Sequence, residues 1–331
     1  MGISINENTL ETAPQAASSP KLKNIGFYRA TLAPGLSQDV FKPEPWRLVW
    51  YAADISIALF SFYAIVHFRA PWPVKLALGL VLGFCNGTMA FIGHEILHGS
   101  VVKSQKLQNI LGFFGAIPFF ISPTFWRFWH NRLHHGKTQQ LITDPDAFPN
   151  LRIYKSSRFM KFMFPFTPGS GHKRSALYLF FWFSFHNFVA QAYLRFRNRI
   201  FADLDQKRVT IEFVSQILIA AALLAYAGPQ NWLWVFVVPL FVQNYVVMSY
   251  VVTNHNLSPL TNENDPLVNS LTVTNYPALE FINLNFGYHV EHHIFPTMSS
   301  KHMKTIHRKL KEEFPETFQI MPKWKAMKEL Y

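Results

Sequence analysis

Four stretches of this sequence, residues 48–68, 76–93, 209–227 and 232–250, contain neither lysine nor arginine. Each is close to the roughly 20 apolar residues that a helix needs to cross a hydrocarbon core about 30 Å thick. The pattern predicts an all-α integral membrane protein with four transmembrane spans, at about 48–68, 74–93, 209–227 and 232–250. Composition points the same way, with 50% of residues hydrophobic and only 15% charged, against about 25% charged in soluble domains.

The connections suggest the arrangement. "RAPWP" joins the first two stretches and "GPQN" the last two, and neither is long enough to hold a domain. The spans are therefore read as two helical hairpins, each returning the chain to the side it left. Residues 1–47, 94–208 and 251–331 then share one side, with 29 of the 31 Lys and Arg, while Arg69 and Lys75 face the other. Basic residues stay inside, so the shared side is the cytoplasm, of a bacterial inner membrane in preference to the endoplasmic reticulum. Two weaker apolar stretches, 110–122 with its Pro118 and 176–194, are read as interfacial or re-entrant. A lone crossing by 176–194 would carry Arg195, Arg197, Arg199, Lys207 and Arg208 outside. It would also divide the chain's histidines between two compartments.

Residues 1–46 read as a cytosolic N-terminal tail, polar through residue 20 and without the apolar core of a cleavable signal. Gly2 hints at myristoylation, but Asn6 stands where that motif wants Ser or Thr. The single cysteine, Cys85, excludes a disulfide within the chain and a four-thiolate iron–sulfur cluster. The net charge of +12 is assigned to membrane orientation and to an acidic protein partner, not to nucleic acid. Met303, Ile306, Leu310 and Phe314 recur at helical spacing among lysines, which predicts an amphipathic helix over 299–314.

Histidine carries the chemistry. "HEILH" at 94–98 is an H-E-x-x-H, which on a helix can hold zinc with Glu95 as the base of a protease. A catalytic zinc takes three protein ligands, however, and this chain offers many more. "HNRLHH" adds His130, His134 and His135, "HVEHH" adds His289, His292 and His293, and His255 follows the fourth stretch. Eight or nine histidines suit two ions at four or five ligands each. Residues four apart on an α-helix lie about 40° apart, so His94 and His98 can share a face, as can His130 and His134. His289, His292 and His293 fit within an arc of about 100°, and His135, about 100° from His134, suits a neighbouring ion. All of them fall at or near one face, whereas a metal transporter or sensor would line a path at membrane depth. Imidazole ligation alone does not choose among iron, copper, nickel and zinc. His67, His172, His186, His302 and His307 are read as partnered polar groups.

HEILH, HNRLHH and HVEHH, in that order and between paired apolar stretches, resemble the three histidine boxes of the membrane fatty acid desaturase family. The resemblance runs from about residue 45 to 310 and includes "DPDAFP" and "YHVEHHIFPTM". It implies a desaturase-like membrane domain over 47–331, with a histidine-rich cytosolic cap made of 94–208 and 251–331. It implies two iron ions, held by His94, His98, His130, His134, His135, His289, His292 and His293, with His255 or Asn254 completing the set. It implies O2 as co-substrate and an acyl lipid, acyl-CoA or free fatty acid as substrate. The third box opens with His289 where desaturases fused to cytochrome b5 usually have Gln, and no H-P-G-G haem segment is present. Electrons are therefore expected from a separate ferredoxin, rubredoxin or cytochrome b5.

Glu95, Asp144, Asp146 and Glu291 sit beside the boxes and are read as partners that orient imidazoles through their distal N–H. Asp144 and Asp146 are equally placed to cap the loop "TDPDAF". Asp54 reads as a helix-end residue, and "PFFISPTFWRFW" (118–129) as a wall of a narrow apolar tunnel. Hydroxylation, carotenoid ketolation and oxidative decarboxylation of a fatty acid to a 1-alkene are alternative outcomes of the same site.

Overall fold

The computed structural model describes residues 22–140, 144, 146 and 157–331. The polar stretch 1–20 and most of the TDPDAF loop lie outside the described residues. Among these, four helices are long and apolar enough to cross a membrane: Pro45–His67, Trp72–His98, Gln206–Ala227 and Leu233–His255. We name the regular helical parts α2 (Leu48–His67), α3 (Trp72–His98), α7 (Gln206–Ala227) and α8 (Leu233–His255). The helix α1 (Ile25–Leu32) precedes them, and α4 (Gln105–Gly115), α5 (123–137) and α6 (178–197) lie between α3 and α7. Then come α9 (His289–Ile294), α10 (Met303–Glu313) and α11 (Lys323–Leu330).

Two of the spans extend beyond their apolar stretches. The second and fourth were expected to end near 93 and 250, but α3 and α8 continue to His98 and His255. Gly99, in the left-handed conformation at φ 82°, stops α3 directly after the first histidine pair. The helices α3 and α8 lie against each other along a stripe of small residues, Gly79, Gly83 and Gly87. A Cβ at Gly79 would stand 2.7 Å from the carbonyl oxygen of Trp234, and one at Gly83 2.8 Å from the backbone of Pro239. At Gly87 it would meet Val246 at 2.7 Å. Residues four apart share a helix face, so Gly79 and Gly83 let the two backbones touch and Gly87 makes room for the Val246 side chain.

The other pairing is looser than a closed hairpin. The helix α7 rests chiefly on 117–126 and meets α8 near the turn that joins them. The segment 113–122 accounts for this separation. It leaves α4, makes a short turn, and passes through Phe120 at φ 54° before α5 begins. Irregular backbone can sit among spans only if its polar groups are satisfied by protein. Gln243 donates to the Pro118 carbonyl (2.6 Å), Gln191 to Phe120 (2.5 Å), and Gln216 to both Phe113 and Ile121 (3.0 Å each). All three glutamines are buried. Glu212 of α7 accepts from Ser122 Oγ and from the N–H and hydroxyl of Thr124, which anchors the start of α5.

Part of the expected tail is ordered onto the cap. Tyr28, Leu32 and Leu36 pack against Met303, Ile306 and Leu310, the apolar stripe of the amphipathic helix expected over 299–314. The Tyr28 hydroxyl donates to Asp265 at 2.8 Å. The fold is not purely helical, because Thr272–Thr274 pairs in parallel with Ile320–Pro322 in a two-stranded sheet. Gly287, two residues before His289, fits under this sheet only because it has no side chain. A Cβ there would lie 2.2 Å from the Val273 carbonyl oxygen.

Candidate metal centre

The nine histidines singled out by sequence come together from four helices. His94, His98, His130, His135 and His292 form one group, and His134, His255, His289 and His293 form a second. Within each group the candidate ligand atoms all lie within 4.8 Å of one another. His255, not its neighbour Asn254, enters the second group. The Asn254 amide is buried and has no hydrogen-bond partner among the described residues.

The way the second and third boxes divide differs from the helical-wheel expectation. His130 and His134 do stay together, stacked at 5.2 Å and forming a smaller third group with Asp146, but the two larger groups take one each. Residues Arg127–His134 are wound as a π-helix, and the His135 N–H bonds the carbonyl of His130, five residues back. That winding brings residues five apart onto one side as well as residues four apart, so His135 joins His130 in one group while His134 also reaches the other. In α9, an ordinary helix, His289 and His293 stay together and His292 faces the first group. Each of these two helices therefore supplies both groups.

The donor set fits metal ions. Neighbouring Nε2 atoms face one another at 2.9 Å (His94–His130), 3.1 Å (His135–His130 and His292–His135) and 2.7 Å (His255–His289). Ligand nitrogens at right angles around an ion, each at about 2.0–2.1 Å, would be about 3 Å apart. His98 Nε2 is buried with no hydrogen-bond partner among the described residues. A neutral imidazole has one lone pair and one N–H, so such a ring of rings leaves lone pairs unmet unless a cation sits among them. Burial holds His130, His135, His289, His292 and His293 well below the ordinary imidazole value, which keeps their lone pairs free for an ion.

Two carboxylates hold the second box. His134 Nδ1 lies 3.1 Å from Asp144 and 3.4 Å from Asp146. Burial pulls this imidazole down, but the Asp144 charge and hydrogen bond, with Asp146, bring it up to about 8. Asp144 also accepts from the backbone of Gln139 and Asp146, so orienting His134 and capping the loop are one arrangement. Asp146 accepts from the Trp129 indole at 2.6 Å. On the third box, Thr138 Oγ meets His293 Nδ1 at 3.2 Å.

Glu95 and Glu291 have their partners outside the nine clustered histidines. Arg47 grips Glu95 at both oxygens (2.9 and 2.6 Å), and Ser299 and Ser300 bond the same carboxylate. A carboxylate so engaged is not free to act as the base of an H-E-x-x-H hydrolase. Glu291 bonds His307 at 2.6 Å and Thr272 at 2.6 Å. Arg47, Thr272 and Ser300 were not singled out by sequence, and with His307, read there only as a partnered polar group, they tie the first and third boxes to the cap. Removing one partner of a buried ion pair strands the other charge, at a cost of about 3–5 kcal/mol. Arg47→Met should therefore lower the melting temperature in detergent sharply, and the double variant with Glu95→Gln should recover most of the loss. No recovery in the double variant would mean that Arg47 acts through packing instead.

Of the five remaining histidines, His67 pairs with Tyr226, His302 with Glu44, and His172 accepts from the Arg174 N–H. Asp54 stands in the second turn of α2 and shares a hydrogen bond with Thr88, away from the histidines. A cavity of about 140 Å³ reaches the centre and is lined by His94, His130, His134, His255 and His289. Its other walls are mostly apolar, and Phe119, Ile121, Trp126 and Trp129 of the expected tunnel wall are among them.

Similarity to known proteins agrees with this site. Residues 70–323 match the fatty acid desaturase family. The chain is 22% identical to a chloroplastic omega-6 fatty acid desaturase of Brassica napus, covering 88% of this chain and 66% of that protein. It is 23% identical to an sn-1 acyl-lipid omega-3 desaturase (ferredoxin) of Synechocystis, over 94% of this chain and 89% of the other. It is 26% identical to a probable fatty acid desaturase of Sorghum bicolor, over 87% and 75%. The chain thus spans just under two thirds of the Brassica protein and most of the cyanobacterial one. With its four apolar helices and its metal-competent histidine groups, it belongs to the fatty acid desaturase family.

Proposed function

We propose that the protein is an O2-dependent acyl desaturase whose nine histidines hold two iron ions. The observation that carries this reading is the division of those histidines into groups of five and four beside an apolar cavity. Removing two hydrogens from a saturated chain means breaking a methylene C–H bond, which no side-chain base can do. The iron pair supplies that step with O2 when bound. The chain's own residues keep the lone pairs of most of the buried imidazoles free, fix His134 through Asp144 and line the apolar cavity that would take an acyl chain to the centre. Forming one double bond and two waters from O2 takes two further electrons and two protons. A separate donor must deliver them, and the ferredoxin named for the Synechocystis relative is the first candidate. We place the histidines on the cytoplasmic side, following the basic excess of the cap.

The test is reconstitution of the purified protein with ferrous iron, a ferredoxin and its reductase under air, with products read by mass spectrometry. A new internal double bond is expected. A hydroxylated, keto or chain-shortened alkene product would reassign the reaction while keeping the site.

The donor should dock on α10. Arg308 and Lys311 are exposed there, while Lys304 is engaged with Glu280 at 2.8 Å. Changing Arg308 and Lys311 to Glu is expected to raise the donor KM several-fold and flatten its salt dependence. Single-turnover yield from chemically reduced enzyme should not change. An unaltered KM would remove this helix from the docking surface.

A further inference from the structure

His186 is the one histidine that the site and the fold leave unexplained. It sits on α6 between two indoles, stacked on Trp182 (centroids 5.2 Å apart, planes at 19°) and edge-on to Trp129 (5.2 Å). It belongs to neither histidine group and has no hydrogen-bond partner among the described residues. It does line the cavity that reaches the metal centre. A phenylalanine would fill the slot between the indoles equally well without presenting unpaired ring nitrogens to an apolar space. His186 is half-buried at the wall of this cavity, so what enters the cavity can supply the partner its ring lacks.

We propose that His186 hydrogen-bonds the carbonyl oxygen of the acyl substrate and so fixes the chain's position relative to the metal centre. Burial takes its imidazole down to about 4, so it is a neutral donor. No Lys or Arg lines the cavity among the described residues. The group recognised is therefore an uncharged carbonyl, as in an ester or thioester, rather than a carboxylate held by a cation. Trp129, which His186 touches, is the residue before His130, and its indole bonds Asp146 beside His134. One indole thus separates the carbonyl contact from the histidines. A chain held there is counted from its carbonyl end, and the carbons nearest that end face the centre.

This inference rests on the acyl-chain reading above, and the test separates the two. Saturated methyl esters from decanoate to octadecanoate, and alkanes of matching length, would be titrated into the protein in lipid nanodiscs by tryptophan fluorescence. Binding of neither series by the parent would overturn the acyl reading and this inference with it. The parent is expected to prefer an ester over its alkane by about tenfold, the worth of one hydrogen bond to a buried partner. In His186→Phe, which keeps the aromatic sandwich, the preference should fall to near unity with alkane affinity intact. His186→Gln should retain part of it. In turnover, the parent should oxidise chains of different length at one position counted from the carbonyl, and His186→Phe should lose that constancy. An ester preference that survives in His186→Phe, or equal weakening of ester and alkane, would overturn the assignment.

Discussion

Alanine in place of His289 is expected to abolish product and to bring bound iron from two ions per chain toward one. His289 belongs to the group of four, and its removal leaves three imidazoles there, His134, His255 and His293. His98 belongs to the group of five, so His98→Ala leaves four. Both variants should lose activity, but His289→Ala should lose more metal and lose it at lower chelator concentration. Second partners of metal ligands are worth about 10- to 100-fold in affinity, and a ligand itself should count for at least as much. Asp144→Ala, which frees His134 Nδ1, should fall between the parent and His289→Ala. His172→Ala is the control, since that ring accepts only a backbone N–H outside the centre. Metal analysis with Mössbauer spectroscopy of anaerobically loaded protein reads all four. Equal metal loss in His98→Ala and His289→Ala would contradict the division into five and four, and one ion per chain in the parent would remove the diiron reading.

The second large effect is expected far from any histidine. Gly83→Val would drive a side chain into the backbone of Pro239 and the Val242 side chain, where even a Cβ stands at 2.7–2.8 Å. The backbone of α8 has nowhere to retreat without carrying His255 with it, because His255 is that helix's last residue. Overpacking costs about 1–3 kcal/mol in a core that can relax, and more where backbone is the obstacle. Activity should be lost and metal content reduced while the protein still inserts into the membrane. Ile92→Val, a smaller change two residues from the nearest box histidine, should cost only about 0.5–1.5 kcal/mol and leave iron at two per chain. A fully active Gly83→Val would show that α3 and α8 are not held at this spacing.

Much of this architecture was legible because it repeats a single chemical type. Apolar stretches of spanning length mark four helices, and histidines at intervals of three and four mark their facing ends. What the sequence hid was carried by backbone geometry. Nothing in HNRLHH announces a π-helix, so the ordinary wheel gave the box to two ions but could not show His130 and His135 falling in one large group and His134 in the other. The parallel strands were hidden because three residues are too few for an alternating pattern to register. Other signals were present and went unread. Gly79, Gly83 and Gly87 form a small-residue repeat inside an apolar stretch, a known mark of close helix contact. His307 lies four residues after Met303 and three before Leu310, on the buried side of its helix. It was read as a partnered polar group, and that position pointed to a buried partner such as Glu291. Arg47, a lone cation at the edge of the first apolar stretch, similarly implied a partner such as Glu95.

The glutamines that hold segment 113–122 set an order for biogenesis. The ribosome releases α2, α3 and α4 before any of Gln191, Gln216 and Gln243 exists. Until they arrive, the carbonyls of Phe113, Pro118, Phe120 and Ile121 have no protein partner, and lipid offers none. The nascent segment must wait at the water boundary and be drawn inward only when α7 and α8 are in place. The last of these spans also delivers His255, and α9 follows it with His289, His292 and His293. A half-made chain can therefore neither bury its loop nor complete either histidine group, and both groups close only at the end of synthesis.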